Sequence, residues 1–288
     1  MNAAEFAHFW ELRGHRVVET KSAYWYNQQA LFYLSIPYHR AISPSLSEQA
    51  RVWIDGPAIG LRFPAISAGE GRPGGLFLCS NRDYNFGLLE KKARNQVRRG
   101  LENCVIEQID FAYLAKRGLE LHLETLARQQ RHGGSMVEKQ WLRMCEVAAR
   151  TRDCQAWGAL VNGQLAAFMA TALVEKYFTI LEQCSATDYL AHYPNNALVF
   201  SVTKEKLKDP RIEYVSYGLK SLENTVGLDH FKHQMGFQLK EWQDTIVFNP
   251  ILKPFIGSKS RRIIDAIAHR FPKSELWRKA RAMELIHN

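Results

Sequence analysis

Cysteine is scarce in this sequence, and its spacing argues against two kinds of site. The 288 residues include five cysteines, which are Cys79, Cys104, Cys145, Cys154 and Cys184. Their odd number and the lack of any C-x-x-C pair argue against a disulfide framework and against a tetrahedral zinc centre. We therefore expect small apolar core residues at these positions and predict no metal site.

Long apolar runs are also missing. No stretch approaches the ~20 consecutive apolar residues of a transmembrane helix, and the opening MNAAEFAHFWELRGHR lacks the basic and apolar regions of a secretory signal. We therefore predict a cytoplasmic protein without a transmembrane segment. Hydrophobic residues make up 46% of the chain and charged residues 23%, a composition typical of a globular protein with a buried core.

Acidic residues are fewer than basic ones. Lys and Arg number 38 against 29 Asp and Glu, which gives a formal net charge of +9. Such a charge favours an anionic partner, for example a nucleotide, a tRNA backbone or an acidic membrane surface. The segment LLEKKARNQVRRG holds five candidate residues for binding a nucleic acid or another anion: Lys91, Lys92, Arg94, Arg98 and Arg99. A solvated helix face is the alternative for this cluster.

A second basic cluster lies at residues 250–288, which we predict to form a helical tail. Within it, Ile263, Ile264, Ile267 and Phe271 make one apolar stripe with arginines around it. A stripe of this kind binds an acidic membrane peripherally or docks on a sheet. Both outcomes remain open for the tail.

The first half of the chain predicts a mixture of strands and a helix. Strand-like runs occur at RVVET, ALFYLSI, IGLRFPA and GLFLCS, and a helix-like SLSEQARVW separates the second run from the third. From residue 90 the pattern predicts a basic helix, the strand CVIEQID and two further helices. Three strands follow, CQAWGALVN, GQLAAFMATALV and KYFTILEQCSA. The Asn162-Gly163 step between the first two predicts a type I′ hairpin, because both residues tolerate positive φ.

The remaining elements complete a recognisable order. They are a helix from near Pro194, the strand IEYVSYG, a helix in GLDHFKHQMG that ends at a left-handed glycine, and the strand FQLKEWQDTIVF. The order β-α-α-β-β-β-α-β-α-β predicts an open α+β sheet. We expect neighbouring strands to diverge after the antiparallel meander and to leave a cleft.

Five stretches resemble the FemABX-like, or Fem-type, branch of the GNAT superfamily. In chain order they are LLEKKARNQVRRGLENCVIEQ, HLETLARQQRHGG, YPNNALVFSVTKEKL, EYVSYG and GLDHFKHQMGFQLKEW. The resemblance implies a double-GNAT protein of the α+β class, with two tandem mixed sheets flanked by helices. It divides the chain into a degenerate N-terminal half at 1–103, an acyltransferase domain at 104–249 and the tail at 250–288.

The resemblance implies an N-acyltransferase that moves an acyl group from an acyl-CoA, or a similar thioester, to an amine by direct attack. One departure leaves the donor open. The stretch AHYPNNAL has no glycine, although ordinary GNAT enzymes bind the CoA pyrophosphate there on a glycine-containing loop. The alternatives are a Fem-type transferase that uses aminoacyl-tRNA, and a catalytically silent protein that binds RNA or an acidic surface. We expect no permanently bound cofactor.

Acyl transfer to an amine requires a base, a stabiliser for the oxyanion and a proton for the leaving group. Lys232 lies four residues before Gly236, where ordinary GNAT enzymes often carry a tyrosine that protonates the leaving thiolate. The resemblance therefore makes Lys232 the first catalytic candidate. The alternative is a lysine that packs its stem on Phe231 and extends its ammonium group into water.

Two further residues, Glu182 and Tyr217, are candidates for acting on the acceptor amine or binding it. Glu182 alternates along its strand with Phe178, Ile180 and Cys184, on the face where GNAT-like sites carry a base. Tyr217, at the end of its strand, is expected to donate a proton or to bind the acceptor.

Four residues are candidate contacts of the acyl donor: Phe231, Asn195, Asn196 and Ser185. Asn195 and Asn196 follow Pro194, so they are expected to cap a helix first and to contact the donor second. The identities of the acyl chain and of the acceptor amine do not follow from these residues.

Overall fold

The computed structural model describes residues 1–29, 31–66, 72–129, 136–220 and 226–251. The chain folds into two compact units. We call Met1, Phe77–Gly218 and Val226–Leu239 the central unit. The N-terminal unit contains Asn2–Leu76, Leu219, Lys220 and the described residues 240–251. The predicted boundary at residue 103 lies inside the central unit, and residues 252–288 of the predicted tail lie outside the described residues.

Seven α-helices, two short 3-10 helices (Phe86–Leu88 and Thr187–His192) and eleven strands occur among the described residues. The elements up to residue 79 are α1 (Ala3–Leu12), β1 (Val17–Glu19), β2 (Tyr24–Gln29), β3 (Phe32–Ile36), α2 (Leu46–Asp55), β4 (Gly60–Ala65) and β5 (Arg72–Cys79). Those that follow are α3 (Lys91–Asn103), β6 (Val105–Ile109), α4 (Phe111–Arg128), α5 (Met136–Arg150), β7 (Cys154–Val161), β8 (Gln164–Val174), β9 (Tyr177–Ser185), α6 (Pro194–Lys206), β10 (Tyr214–Leu219), α7 (Val226–Gln234) and β11 (Gln238–Phe248).

The N-terminal unit has a mixed sheet in which β1, β2, β3, β4 and β11 are successive neighbours. Strand β11 runs antiparallel to β4, from the pair Gln243 and Ala65 to the pair Phe248 and Gly60. Helix α1 and strand β2 have no counterpart among the predicted elements. A capping box nevertheless starts α1, because Asn2 accepts from the Glu5 backbone and the Glu5 side chain accepts in return.

The central unit has the predicted meander. Its strands lie in the order β10-β9-β8-β7-β6, with the end of β5 beside β10. Strands β7, β8 and β9 are antiparallel, whereas β10 pairs with β9 in parallel. Asn162 and Gly163 have φ values of 50° and 76°, which confirms the positive φ values expected for the hairpin turn. From β6 to β11, the order of elements agrees with the order predicted from the sequence.

Helices cover both faces of the central sheet. On one face, α3 and α6 pack on apolar residues of β7 to β9, and the core there includes Val97, Leu198 and Phe178. On the other face, Trp141 of α5 packs on Phe168 of β8 with ring centroids 5.2 Å apart. This arrangement confirms the predicted α+β class with mixed sheets flanked by helices.

Strands β9 and β10 pair over only three residues. The paired positions are Tyr177 with Tyr214, Phe178 with Val215, and Thr179 with Ser216. Beyond Thr179, no residue of β9 pairs with β10 within the part of the chain that the structure describes. The two strands therefore diverge where the sequence predicts a cleft.

A bulge in β9 lies next to the point of divergence. In the pairing with β8, Ile180 lies opposite Thr171, while Glu182 lies opposite the adjacent Ala170. Leu181 is thus an extra residue on β9. A bulge of this kind bends the strand and reverses the alternation of its side chains.

Candidate functional site

We call the opening between β9 and β10 the β9–β10 gap; it is bounded by Ile180–Ser185 on β9 and by Tyr217 and Gly218 on β10. Gly218 has φ 79°, a value that favours glycine. A Cβ atom added there would meet nothing within 4 Å. The end of β10 therefore lies beside open space.

A chain of side-chain hydrogen bonds runs along the gap. The Tyr217 hydroxyl donates to Oε1 of Gln183. Nε2 of Gln183 donates to Oδ1 of Asn195 over 3.0 Å, and Nδ2 of Asn195 donates to Oγ of Ser185 over 3.0 Å. Three predicted site residues, Tyr217, Asn195 and Ser185, are thus brought together, and Gln183 connects them.

Arg128 of α4 forms the other end of this chain. Its Nη2 donates to the Ser185 carbonyl oxygen over 2.7 Å, to Ser185 Oγ over 3.1 Å and to Thr125 Oγ1 over 3.0 Å. Its Nη1 donates to Thr187 Oγ1 over 2.7 Å. Arg128 therefore holds the end of β9 against α4. We name the series Tyr217, Gln183, Asn195, Ser185 and Arg128 the polar chain.

Lys232 is buried in the central unit, with only 3% of its surface exposed. Its Nζ donates to Oδ1 of Asp229 over 3.2 Å and lies 4.5 Å from the centroid of the Phe77 ring. Burial lowers the pKa of Lys232, and the Asp229 carboxylate opposes that shift. The alternative of an ammonium group extended into water is therefore wrong for this lysine.

The end of α7 fixes the backbone of Lys232. Gly236 has φ 80°, Phe237 N donates to the Lys232 carbonyl over 3.1 Å, and Gly236 N donates to the His233 carbonyl over 2.9 Å. These two bonds form a Schellman motif. The predicted left-handed glycine cap is confirmed, and it holds Lys232 in the last turn of the helix.

Tyr217 lies between the polar chain and Lys232. Its ring packs edge-on against Phe237, with centroids 5.3 Å apart, and against Phe231 at 6.1 Å. Lys232 Nζ lies 5.8 Å from the Tyr217 ring centroid. Burial raises the pKa of Tyr217 well above its ordinary value, so the hydroxyl stays protonated at neutral pH.

The predicted alternation around Glu182 is wrong beyond Ile180. Because Leu181 is an extra residue, Glu182 and Cys184 share a face with Ala170 and Phe168. Cys184 Sγ lies 3.7 Å from Nδ1 of His122 on α4. Glu182 is therefore on the α4 side of the sheet, whereas Phe178 and Ile180 pack with the core on the α6 side. The role of Glu182 as a base remains a prediction.

The start of α6 differs from the predicted cap. The N-cap is Tyr193, with φ 54°, Pro194 is the first helical residue, and no side chain caps the helix. Asn196 donates instead to Oε1 of Gln96 over 3.3 Å and to the sulfur of Met235 over 3.7 Å. The expected capping by the two asparagines is wrong, and Asn196 is separate from the polar chain.

The basic helix α3 packs beside the start of α6. A Cβ atom at Gly100 would lie 2.7 Å from the Tyr193 carbonyl oxygen and 2.9 Å from the Ala197 Cβ, so glycine permits this close approach. The Arg99 guanidinium lies 5.2 Å from the Tyr193 ring centroid. Lys91 and Lys92 are exposed, as are Arg98 and Arg99. Anion binding by this helix remains a prediction.

Reasoning from the sequence did not identify Gln183 and Arg128. The only signal for Gln183 was an amide in the strand YFTILEQCS, two residues before Ser185. Among the described residues, no group of three or more His, Cys, Asp or Glu side chains could hold a metal ion. None of the helices in the described ranges is long and apolar enough to cross a bilayer.

Solved structures resemble this chain in fold. FemX matches with a TM-score of 0.58 and 11% identity, over 86% of this chain and 92% of FemX. The C-terminal DUF2156 domain of a protein from Agrobacterium fabrum, assigned as a lysylphosphatidylglycerol synthetase, matches with a TM-score of 0.57 and 14% identity, over 90% of each chain. L-PGS from Bacillus licheniformis matches with a TM-score of 0.52 and 13% identity, over 85% and 91%.

No protein-family model matches the chain. No curated protein matches it in sequence. The structural matches show the fold: the chain has the Fem-like double-GNAT fold that the sequence motifs predict.

Proposed function

We propose that this protein is a transferase that moves an activated acyl group to an amine in the β9–β10 gap, and that its donor is an aminoacyl ester of tRNA. The observation that carries the proposal is the buried ammonium group of Lys232 beside Tyr217, at the end of β10 where β9 has diverged. Opened strands leave backbone and side-chain groups available to a bound carbonyl compound. A buried cation next to them supplies charge where an oxyanion would develop.

The chemistry follows from these groups. The amine nitrogen attacks the acyl carbon, a C–N bond forms, and the carbonyl oxygen takes up negative charge. The bond from that carbon to the ribose oxygen then breaks, the amine loses its proton to water, and the leaving oxygen gains a proton from Lys232, which water then restores. Lys232 stabilises the oxyanion and supplies the proton, because its lowered pKa makes it a stronger acid than an ordinary lysine.

Two observations favour an aminoacyl-tRNA over an acyl-CoA. The start of α6 has no glycine, and Pro194 removes one backbone N–H from the first turn, so the turn is poorly suited to cradle a pyrophosphate. The exposed charges of α3 lie beside that turn and suit a longer polyanion. The two lysylphosphatidylglycerol synthetase matches carry a name that fits transfer of an amino acid.

A transfer assay tests the proposal. The full chain is incubated with tRNA charged with radiolabelled amino acids, or with labelled acyl-CoAs, and with lysine, a short peptide and n-butylamine as acceptor probes. We expect amide formation from charged tRNA. Amide formed only from acyl-CoA would overturn the choice of donor, and tRNA binding without transfer from any donor would favour a silent RNA-binding protein.

Lys232→Met is the critical variant, because Met keeps much of the stem and removes the charge. Lys208→Met is its matched control, since Lys208 is exposed beyond the end of α6. Equal turnover of both variants would contradict the role of Lys232.

A further inference from the structure

From Tyr217 to Ser185, each side chain of the polar chain donates a hydrogen bond to the next. Arg128 carries only donors, and Ser185 Oγ accepts from both Arg128 Nη2 and Asn195 Nδ2. With its nitrogen turned to Ser185, Asn195 presents Oδ1 to Gln183. Gln183 then presents Oε1 to Tyr217, whose hydroxyl donates its hydrogen to that oxygen.

The direction matters at Tyr217. A phenol has one hydrogen to donate and lone pairs that accept. No donor to the Tyr217 oxygen is present in the described part of the chain, so the hydrogen is committed to Gln183 and the lone pairs are not engaged there. Lys232 Nζ donates to Asp229, and no hydrogen bond from it to the Tyr217 oxygen occurs among the described residues.

We propose that Gln183 is a positioning residue that commits the Tyr217 hydroxyl hydrogen away from the β9–β10 gap, so that the Tyr217 oxygen accepts an N–H hydrogen bond from the attacking amine. Tyr217 therefore orients the nucleophile and does not protonate the leaving group. Of the two roles that the sequence leaves open for Tyr217, this inference selects binding of the acceptor. It rests on the proposed function for the identity of the acceptor.

Further features of the site agree with this assignment. Burial raises the pKa of Tyr217, so the oxygen carries its hydrogen throughout and does not become a phenolate. Lys232 remains as the acid for the leaving group. If these hydrogen bonds ran the other way, the oxygen and nitrogen of both amides would be exchanged. Ser185 would then donate to Asn195, Asn195 to Gln183, and Gln183 to Tyr217. The Tyr217 hydrogen would then point away from Gln183.

The first test measures the direction without turnover. The full chain is labelled with tyrosine carrying carbon-13 at Cζ, and the Tyr217 resonance is assigned by its loss in Tyr217→Phe. A phenol that donates its hydrogen shifts Cζ downfield. We expect a downfield Tyr217 signal that moves upfield in Gln183→Met. An upfield signal in the unsubstituted protein would overturn the inference, whatever the result of the transfer assay.

The second test uses acceptor-only replacements of the two amides. Gln183→Glu and Asn195→Asp accept but do not donate. A glutamate at 183 requires the Tyr217 hydroxyl to donate to it, and an aspartate at 195 requires Gln183 to donate to it and so to present Oε1 to Tyr217. We expect Gln183→Glu to exceed Gln183→Met at least tenfold in kcat/KM for the amine, and Asn195→Asp to exceed Asn195→Leu similarly. In Gln183→Met and Asn195→Leu the KM for the amine should rise, while the KM for the donor should stay within twofold of the value for the unsubstituted protein.

The outcomes separate the two proposals. If both acceptor-only variants are no better than their apolar counterparts, the direction is reversed and the inference fails while the transferase stands. If the unsubstituted protein transfers nothing but its Tyr217 signal is downfield, the proposed function fails and the geometry of the hydrogen bond stands.

Discussion

The ammonium nitrogen of Lys232 lies 4.5 Å from the centre of the Phe77 ring, and Asp229 is its bonded carboxylate at 3.2 Å. An aromatic face and one carboxylate hold a buried lysine in its charged form although burial opposes the charge. The pair Lys232 and Phe77 is therefore the electrostatic centre of the proposed site.

Removal of this charge tests its contribution to turnover. We expect Lys232→Met to lower kcat by roughly 100-fold or more, the usual cost of losing one preorganised oxyanion stabiliser. KM for the charged tRNA should change little, because the contact forms in the transition state. Steady-state kinetics with Lys208→Met as control measure the effect, and a loss confined to KM would contradict it.

The pH dependence of stability follows from the direction in which the Lys232 pKa is shifted. Burial lowers this pKa in the folded protein below the value of about 10.4 for an unperturbed lysine. Between the folded and the unfolded pKa the unfolded chain binds more protons, so stability rises with pH across that interval. Lys232→Met lacks this dependence.

We therefore expect the Tm of the unsubstituted protein, relative to Lys232→Met, to increase as the pH rises toward about 10. Differential scanning calorimetry of both proteins in matched buffers measures the difference. Turnover should decline over the same interval, because the neutral amine neither stabilises an oxyanion nor donates a proton. A constant Tm difference would contradict the lowered pKa.

The cap of α7 gives a prediction about stability. Gly236→Ala should lower the free energy of unfolding by about 1–2 kcal/mol, because a Cβ is costly in the left-handed region. The added atom would also lie 3.0 Å from the Leu88 carbonyl oxygen. Urea denaturation of the full chain measures the loss.

Gly227→Ala is the matched control in the same helix. A Cβ atom at Gly227 meets nothing within 4 Å, and alanine favours a helix over glycine by up to ~1 kcal/mol. Gly227→Ala should therefore be neutral or stabilising. Equal losses for the two variants would mean that the φ of Gly236 is not the cause.

The basic helix α3 predicts salt-dependent binding of tRNA. Charge reversal at Arg98 and Arg99 should weaken the binding of tRNA. The negative slope of log K against log salt should become shallower by about 1 for each tRNA phosphate that these arginines no longer neutralise. Both side chains are exposed, and each packs on an aromatic ring rather than in a core, so the fold should persist.

The control for α3 reverses the same number of charges elsewhere. Arg150 and Arg152 are exposed around the end of α5, away from the proposed donor contacts. We expect Arg150→Glu with Arg152→Glu to leave the salt slope within error. Filter binding at several salt concentrations measures both pairs, and equal slopes for them would contradict a specific role for α3.

Periodicity and turn chemistry predicted much of the central unit. Runs of apolar residues predicted β7, β8 and β9, and Asn162-Gly163 predicted the turn between β7 and β8, because these signals are local in the chain. Helix α1 was missed although its capping box is also local.

The positions of the site residues were harder to predict. Lys232 and Tyr217 were found through motifs, but the face of Glu182 was not, because a bulge depends on the pairing of two strands and leaves no mark in one of them. Gln183 and Arg128 lie on different elements, β9 and α4, that are distant in the chain. Only the folded chain brings them to the same hydroxyl, that of Ser185, directly in one case and through Asn195 in the other.

The extra residue Leu181 decides which chemistry faces α6. Gln183 and Ser185 share the side of the sheet on which Asn195 begins its helix, while Glu182 and Cys184 are turned toward α4. A strand without the bulge, in which Leu181 took a regular place in the alternation, would exchange the two sets. A thiol and a carboxylate would then stand where an amide and an alcohol now stand, and the same backbone would offer an acceptor a different surface.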